Sequence, residues 1–216
     1  MTVMANEIEN VTERIIRQLY NNGNTDKASL SALRSASTID GYRAQKVWPV
    51  FLSNLDENWL SKDGRATRVE NAIFAAVRMY ALHQQASDYC VFARKVFVKK
   101  TEKKEKKDKN DVSGLELFEA LNHLKQNADS PEALDRRVQA LLGTSNFTAV
   151  IDQLVHLMQI IKSKKNNVQI DYARLAGDLY KFQLGYRQAN EVRLHWGEQY
   201  YRSFGKSNDN NSADNK

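Results

Sequence analysis

Residues 146–161 read NFTAVIDQLVHLMQII, and this stretch decides the fold class. Phe147, Val150, Ile151, Leu154, Leu157, Met158 and Ile161 recur at spacings of three and four, the period of one helix face, and Asn146 stands where an N-cap belongs. A strand would alternate at every second residue, which this run does not do. The stretch predicts a long amphipathic helix that sits centrally in the fold.

The same period continues on both sides. Toward the C-terminus, Lys162-Ser163-Lys164-Lys165-Asn166-Asn167 ends the helix, and Val168-Gln169-Ile170 leads to Asp171, the expected cap of a helix carrying Tyr172, Leu175, Ala176 and Leu179. A last helix carries Ala189, Val192, Trp196 and Tyr200. Beyond Gly205 the tail is mostly Asn, Ser and Asp, which cannot offset its ordering entropy by burial and is expected to be disordered. Toward the N-terminus, Ser130-Pro131 opens a helix with proline at the first position, inward Leu134, Val138 and Leu141, and Gly143 as its stop. Arg136 points away from that stripe and Arg137 lies on its border. Ser113 precedes a helix with Leu115, Phe118, Leu121 and Leu124 on one face.

The first half has the same character with one interruption. Residues 99–109 hold seven lysines against Glu102, Glu105 and Asp108, a net +4 in eleven residues without an apolar anchor, and read as a loop or insertion. Residues 88–98 suit helix and strand equally. Residues 65–85 place Val69, Ala72, Ile73, Ala76 and Tyr80 on one stripe, with Arg68, Glu70, Asn71 and Gln84 mostly off it. A helix over 43–52 contains Trp48, Phe51 and an internal Pro49, which predicts a bend or break. Thr25 or Asp26 caps a helix with Leu30 and Leu33 inward and Arg34 at the stripe's edge, where a long side chain still reaches water. The first helix carries Ile8, Val11, Ile15 and Leu19 and stops at Asn21-Asn22-Gly23.

Composition agrees. Of 216 residues, 42% are hydrophobic and 27% charged, which excludes a wholly disordered chain, and only 9 Gly and 2 Pro leave too little punctuation for an all-β fold. The expected architecture is an all-α, two-lobed helical bundle with a lysine-rich central loop. Its expected parts are an N-terminal lobe over 1–98, a basic loop or insertion over 99–113, a C-terminal bundle over 114–204 and a disordered tail over 205–216. One cysteine, Cys90, excludes an intrachain disulfide and a paired-cysteine metal site. No apolar run is long enough for a bilayer, and residues 1–10 lack the basic start and apolar run of a secretory signal, so the expected location is cytoplasmic.

Catalytic signatures are absent. There is no GxxxxGK[ST] loop, GxGxxG turn, HExxH pair or GxSxG elbow. His83, His123, His156 and His195 lie on expected helices, each without a second His or Cys at ligand spacing, so no metal or cofactor is expected. Cys90 reads as an inert, half-buried thiol. Glu116, Glu119, Asp171 and Asp178 read as solvated faces and caps, and Trp48, Tyr180, Phe182 and Trp196 as core. Basic charge at defined places remains: Arg34, Arg136, Arg137, Lys162, Lys164, Lys165, Arg187 and Arg193. Each alone fits a helix-end or solubility role. Together, at a net charge of +6, they suit a surface that follows a phosphate backbone without reading bases.

The order of these features resembles the CasB family, the small subunit of the type I-E CRISPR surveillance complex Cascade. The matching pieces are Ala32-Leu33-Arg34-Ser35, Val47-Trp48-Pro49-Val50-Phe51, Asn71 to Ala76 leading to Tyr80-Ala81, and residues 114–121. Residues 135–142, 170–179, Val192-Arg193, Trp196 and Tyr200-Tyr201 complete the series. The match spans about residues 29–202; the lysine block looks like an insertion, the first helix like an extension, and the tail is unmatched. The resemblance implies a noncatalytic homodimer that contacts neighbouring Cascade subunits and the guide RNA complex, and stabilises the R-loop through basic residues facing the displaced and target DNA strands. Arg34, Arg136 and Arg137 match family basic positions; Lys164, Lys165, Arg187 and Arg193 are added from local charge. An all-α dimeric DNA-binding regulator and a helical protein adaptor remain open.

Overall fold

Short polar side chains set four of the α-helix starts among the described residues, at Asp26, Thr67, Asn146 and Asp171. The computed structural model describes residues 2–96, 113–128, 130–164 and 167–202; the lysine block and the tail lie outside the described residues. Helix α1 (Thr2–Tyr20) ends at Asn21 and Asn22, both at positive φ. Asp26 accepts from Ser29 N at 3.0 Å and caps α2 (Lys27–Ser35). After a 3₁₀ segment over Tyr42–Val47, α3 (Trp48–Leu52) carries Pro49 in its first turn, so the break falls before the proline, where its missing N–H costs nothing. Thr67 and Glu70 exchange hydrogen bonds of 3.1 and 2.7 Å as a capping box for α4 (Arg68–His83).

In the second half α5 spans Leu117–Gln126, and α6 (Glu132–Leu142) starts one residue after Pro131. Asn146 accepts from Ala149 N at 3.0 Å and caps α7 (Phe147–Ser163). Asp171 accepts from Arg174 N at 2.9 Å and caps α8 (Tyr172–Phe182), and α9 spans Tyr186–Tyr201.

The all-α reading holds. Strand geometry among the described residues is limited to two isolated parallel bridges, Phe92 with Ile170 and Leu115 with Ile170. Leu115 therefore stands before its helix, in extended backbone, and the ambiguous stretch after Asp88 supplies a bridge partner. Gly114 permits this close passage: a Cβ there would meet Ala93 O at 2.0 Å.

Both halves of the chain share one core, in which α1 and α4 pack on α8 and α4 also packs on α7. The stripe read over 147–161 is buried except for the half-buried Phe147. The most enclosed helices, however, are α4, with 12 of its 16 residues buried, and α8, with eight of its 11, against six of 17 in α7. Ala173, Ala176 and Gly177 let α8's neighbours close in on it, whereas Asp152, His156 and Gln159 keep one side of α7 in water. Trp196 of α9 is buried between Phe118 and Phe182, with ring centroids 4.9 and 6.2 Å away.

Carboxylates also enter the interior. Glu116 and Asp178 are buried rather than solvated, because cations and donors from the segment with Lys95, from α8 and from α9 converge on them. Glu116 receives Lys95 Nζ at 3.1 Å, His195 Nε2 at 3.0 Å and the Gln199 amide. Glu9 of α1 receives Arg94 at 3.1 Å and Arg174 at 3.3 Å, passing over Gly177, where a Cβ would come within 2.9 Å of its Oε1. Burial opposes charge on Glu116, but the hydrogen bonds from His195 and Lys95 hold its pKa down at about 2.

Two predictions follow from this packing. Gly114→Ala forces two backbones apart and strains the Gly114 N to Arg94 O bond of 3.0 Å, so it should cost about 1–3 kcal/mol, read as a lower thermal midpoint. The second concerns His83, buried on α4 with Nδ1 2.7 Å from the Tyr172 hydroxyl; burial pushes its pKa down to about 4. Below the unfolded value of about 6.5 the unfolded chain takes up a proton that the folded chain refuses. This contribution is complete above that pH and falls by about 3 kcal/mol as the pH drops toward 4. Urea unfolding of His83→Gln at pH 7 and pH 4.5 should show a flatter acid dependence than the parent.

Candidate nucleic-acid interface

A cation that follows a phosphate backbone must be charged, reachable and not already matched by a carboxylate. The basic positions read from the sequence meet these conditions unequally.

Arg136 and Arg137 meet them best. Both are exposed on α6, whose buried face is Leu134, Val138 and Leu141, and neither has an ion pair among the described residues. The adjacent carboxylate does not compete: Asp135 is held by Lys125 Nζ at 2.8 Å and by the Tyr200 hydroxyl at 2.7 Å. The Lys125 hydrogen bond is the largest influence holding the Asp135 carboxyl below its usual range.

Arg34 stands in a different setting. It lies half-buried in the last turn of α2, and its nearest acceptor is Ala81 O at 3.4 Å. No carboxylate within 4.0 Å pairs with it among the described residues, and burial lowers its pKa from the usual guanidinium value. It lines a recess of about 460 Å³ with Tyr20, Lys27, Gln84, Gln85 and Asp88. Ala86, on the recess wall, has a φ of 64°, so the chain turns sharply after α4. Lys162 of α7 reaches the same edge, donating to Gln85 Oε1 at 2.7 Å.

Lys27 and Arg78 escaped the sequence reading. Lys27 opens α2 and looked like an ordinary surface lysine. Arg78 looks like a border residue of α4, yet it is half-buried with Nε unpartnered, and Asp152 of α7 only partly offsets the burial.

The other positions divide. Lys164 is exposed at the C-cap of α7, beside Lys162, while Lys165 lies outside the described residues. Arg187 is exposed and paired with Glu191 at 3.1 Å, a surface contact worth little. Arg193 is engaged within the molecule: it donates to Leu142 O at 3.5 Å, Thr144 O at 3.4 Å and the Asn190 side chain. It thereby satisfies carbonyls left open at the end of α6.

The structure does not join these residues into one patch. α2 packs on α4 and on the Tyr42–Val47 segment, whereas α6 packs on α7 and α9. Arg34, Lys27 and Lys162 form one group, and Arg136 and Arg137 another. Among the described residues, the potential metal ligands that cluster are Glu116, Asp178 and His195. No helix of the described residues is long and apolar enough to cross a membrane.

A stability comparison separates the two kinds of arginine. Arg193→Ala should lower the unfolding free energy by about 1 kcal/mol through the lost carbonyl contacts, whereas Arg136→Ala should stay within about 0.5 kcal/mol of the parent in the same denaturant titration.

Comparison with known proteins agrees with the architecture. No curated protein sequence matches the chain. The crystal structure of CasB from Thermobifida fusca superposes with a TM-score of 0.63 at 22% identity, over 91% of this chain and 98% of that one, a likeness of fold. The family model for CRISPR-associated protein Cse2 matches residues 29–201. With the match running from α2 through α9, over most of its length, the chain belongs to the CRISPR-associated Cse2 family.

Proposed function

We propose that the chain is a noncatalytic small subunit of a Cascade-type CRISPR surveillance complex that stabilises the R-loop by sequence-independent contacts to the nucleic-acid backbone, in antiviral defence. Family membership supports the place in such a complex, with other Cascade subunits as partners. The observation that carries the binding role is the pair Arg136 and Arg137, exposed and unmatched beside an Asp135 already neutralised by Lys125. A guanidinium without a carboxylate partner gains most from a phosphate, which it meets through two parallel hydrogen bonds. Arg34, with Lys27 and Lys162 near the same recess, is a second contact region. Lys164, Lys165 and Arg187 are supplementary contacts, while Arg193 acts mainly within the fold.

Sequence is read by guide RNA pairing in this scheme, so the subunit needs positive charge rather than base recognition. Two regions on different helices suit a protein that holds two strands, or that works as a homodimer in the cytoplasm beside the guide RNA complex. A regulator that inserts a recognition helix fits less well, since α3 is only 5 residues long with Phe51 fully buried and α2 turns Leu30 and Leu33 into the core.

The test is R-loop formation by the assembled complex carrying Arg136→Ala and Arg137→Ala together, measured across salt concentrations. Each lost phosphate contact should flatten the slope of log affinity against log salt by about one unit, about two for the pair. An unchanged slope and affinity would overturn the assignment and favour a plain adaptor.

A further inference from the structure

Helical spacing hides ligand sets that come from separate elements. His195 has no second histidine or cysteine at metal-ligand spacing, but folding brings it from α9 to Glu116 at the head of α5 and Asp178 of α8. One donor atom from each lies within 4.8 Å of the others, and the two carboxylates are buried. Glu116 Oε2 and His195 Nε2 are 3.0 Å apart. Two ligands bound to one zinc at about 2.0–2.2 Å stand about that far apart or slightly more.

Two further observations point to a cation. The first is Gln199, one helical turn beyond His195 and only 8% exposed. Its Nε2 contacts Glu116 Oε2 and lies 2.7 Å from His195 Nε2, while its Oε1 is buried without any partner. The two ends of a carboxamide exchange places by rotation about the last side-chain bond. That rotation sets the carbonyl oxygen among the same two atoms, and three electron-pair donors then converge with a need for positive charge between them. The second is Asp178. It is buried, its one hydrogen bond comes from Trp196 Nε1 at 2.9 Å, and no cation within 4.0 Å pairs with it among the described residues. A buried carboxylate without such a partner is costly.

The charge around the cluster leans the same way. Among the described residues the ion-paired network holds Glu9, Glu13, Glu116, Glu119 and Asp171 with Arg17, Arg94, Lys95, Arg174 and His195, and Asp178 stands beside it without an ion pair. Lys95 binds Glu116 Oε1 and leaves Oε2 toward the cluster, a common outer arrangement for a ligating carboxylate. The His195 side chain is 38% exposed, which supplies an access route.

We propose that Glu116, Asp178, His195 and the Gln199 carbonyl oxygen bind one divalent transition cation of the zinc class. A mixed nitrogen and oxygen set of four suits zinc, cobalt or manganese better than magnesium, which favours oxygen alone in an octahedron. The ion ties the head of α5 to α8 and α9, so its effect is on the stability of the second half rather than on chemistry.

The full chain, stripped of any affinity tag and treated with chelator, is titrated with zinc chloride, followed by calorimetry and thermal unfolding. The expected result is one zinc per chain, a raised midpoint, and no comparable shift with magnesium chloride at the same concentration. Substituting cobalt should give the visible absorption of a four-coordinate site. His195→Gln and Asp178→Asn should each weaken zinc binding at least tenfold, while Arg136→Ala leaves it unchanged. If Asp178→Asn fails to fold, His195→Gln, at a partly exposed position, carries the comparison. Absence of stoichiometric zinc, or binding undiminished in His195→Gln, overturns the proposal. Neither readout involves DNA, so failure here is distinct from failure of the R-loop role.

Discussion

The buried ionic network around Glu116 is the constraint on which the rest of the fold depends. It joins α1 through Glu9, the extended segment through Arg94 and Lys95, the start of α5 through Glu116 itself, α8 through Arg174 and α9 through His195 and Gln199. Interior ion pairs of this kind add little net stability, because desolvation offsets their attraction, but losing one member strands the others and costs about 3–5 kcal/mol. The network therefore acts as a selector of arrangement. Helices that could slide along apolar faces are held in one register by groups that tolerate only one set of partners.

Apolar packing completes what the network positions. Trp196 shows how the two cooperate: its ring lies between Phe118 and Phe182, and its N–H satisfies one oxygen of Asp178. The parallel bridges at Ile170 serve a related purpose, since they bring residues 91–95 and 114–116 side by side and so deliver Lys95 to Glu116. Gly114 is needed there because the two backbones touch.

The same network shapes the electrostatics of the outside. Five carboxylates and four Lys or Arg cations are ion-paired within it among the described residues, which leaves 28 basic against 21 acidic residues for the rest of the chain. The charge outside the network is thus slightly more positive than the net charge of +6. Such an outward excess favours polyanion association and makes it salt-dependent, whichever individual residues form the contacts. The comparison of Arg136 with Arg193 shows that basic residues of equal formal charge divide into surface contacts and internal fasteners according to the carbonyls within reach.

Helix identity and phase were legible from the chain alone, because a 3.6-residue period and side-chain caps at Asp26, Asn146 and Asp171 are local properties that act before any tertiary contact forms. Exposure of Arg136 and Arg137 was legible for the same reason, from their place relative to Leu134, Val138 and Leu141. Only the tertiary structure decided that Glu116 and Asp178 are interior, that Arg193 is occupied, and that Arg34 shares its recess with Lys27 and Lys162's partner Gln85. Those outcomes depend on residues up to 165 positions apart meeting in space, as Glu9 and Arg174 do, and a periodic pattern carries no record of which faces meet.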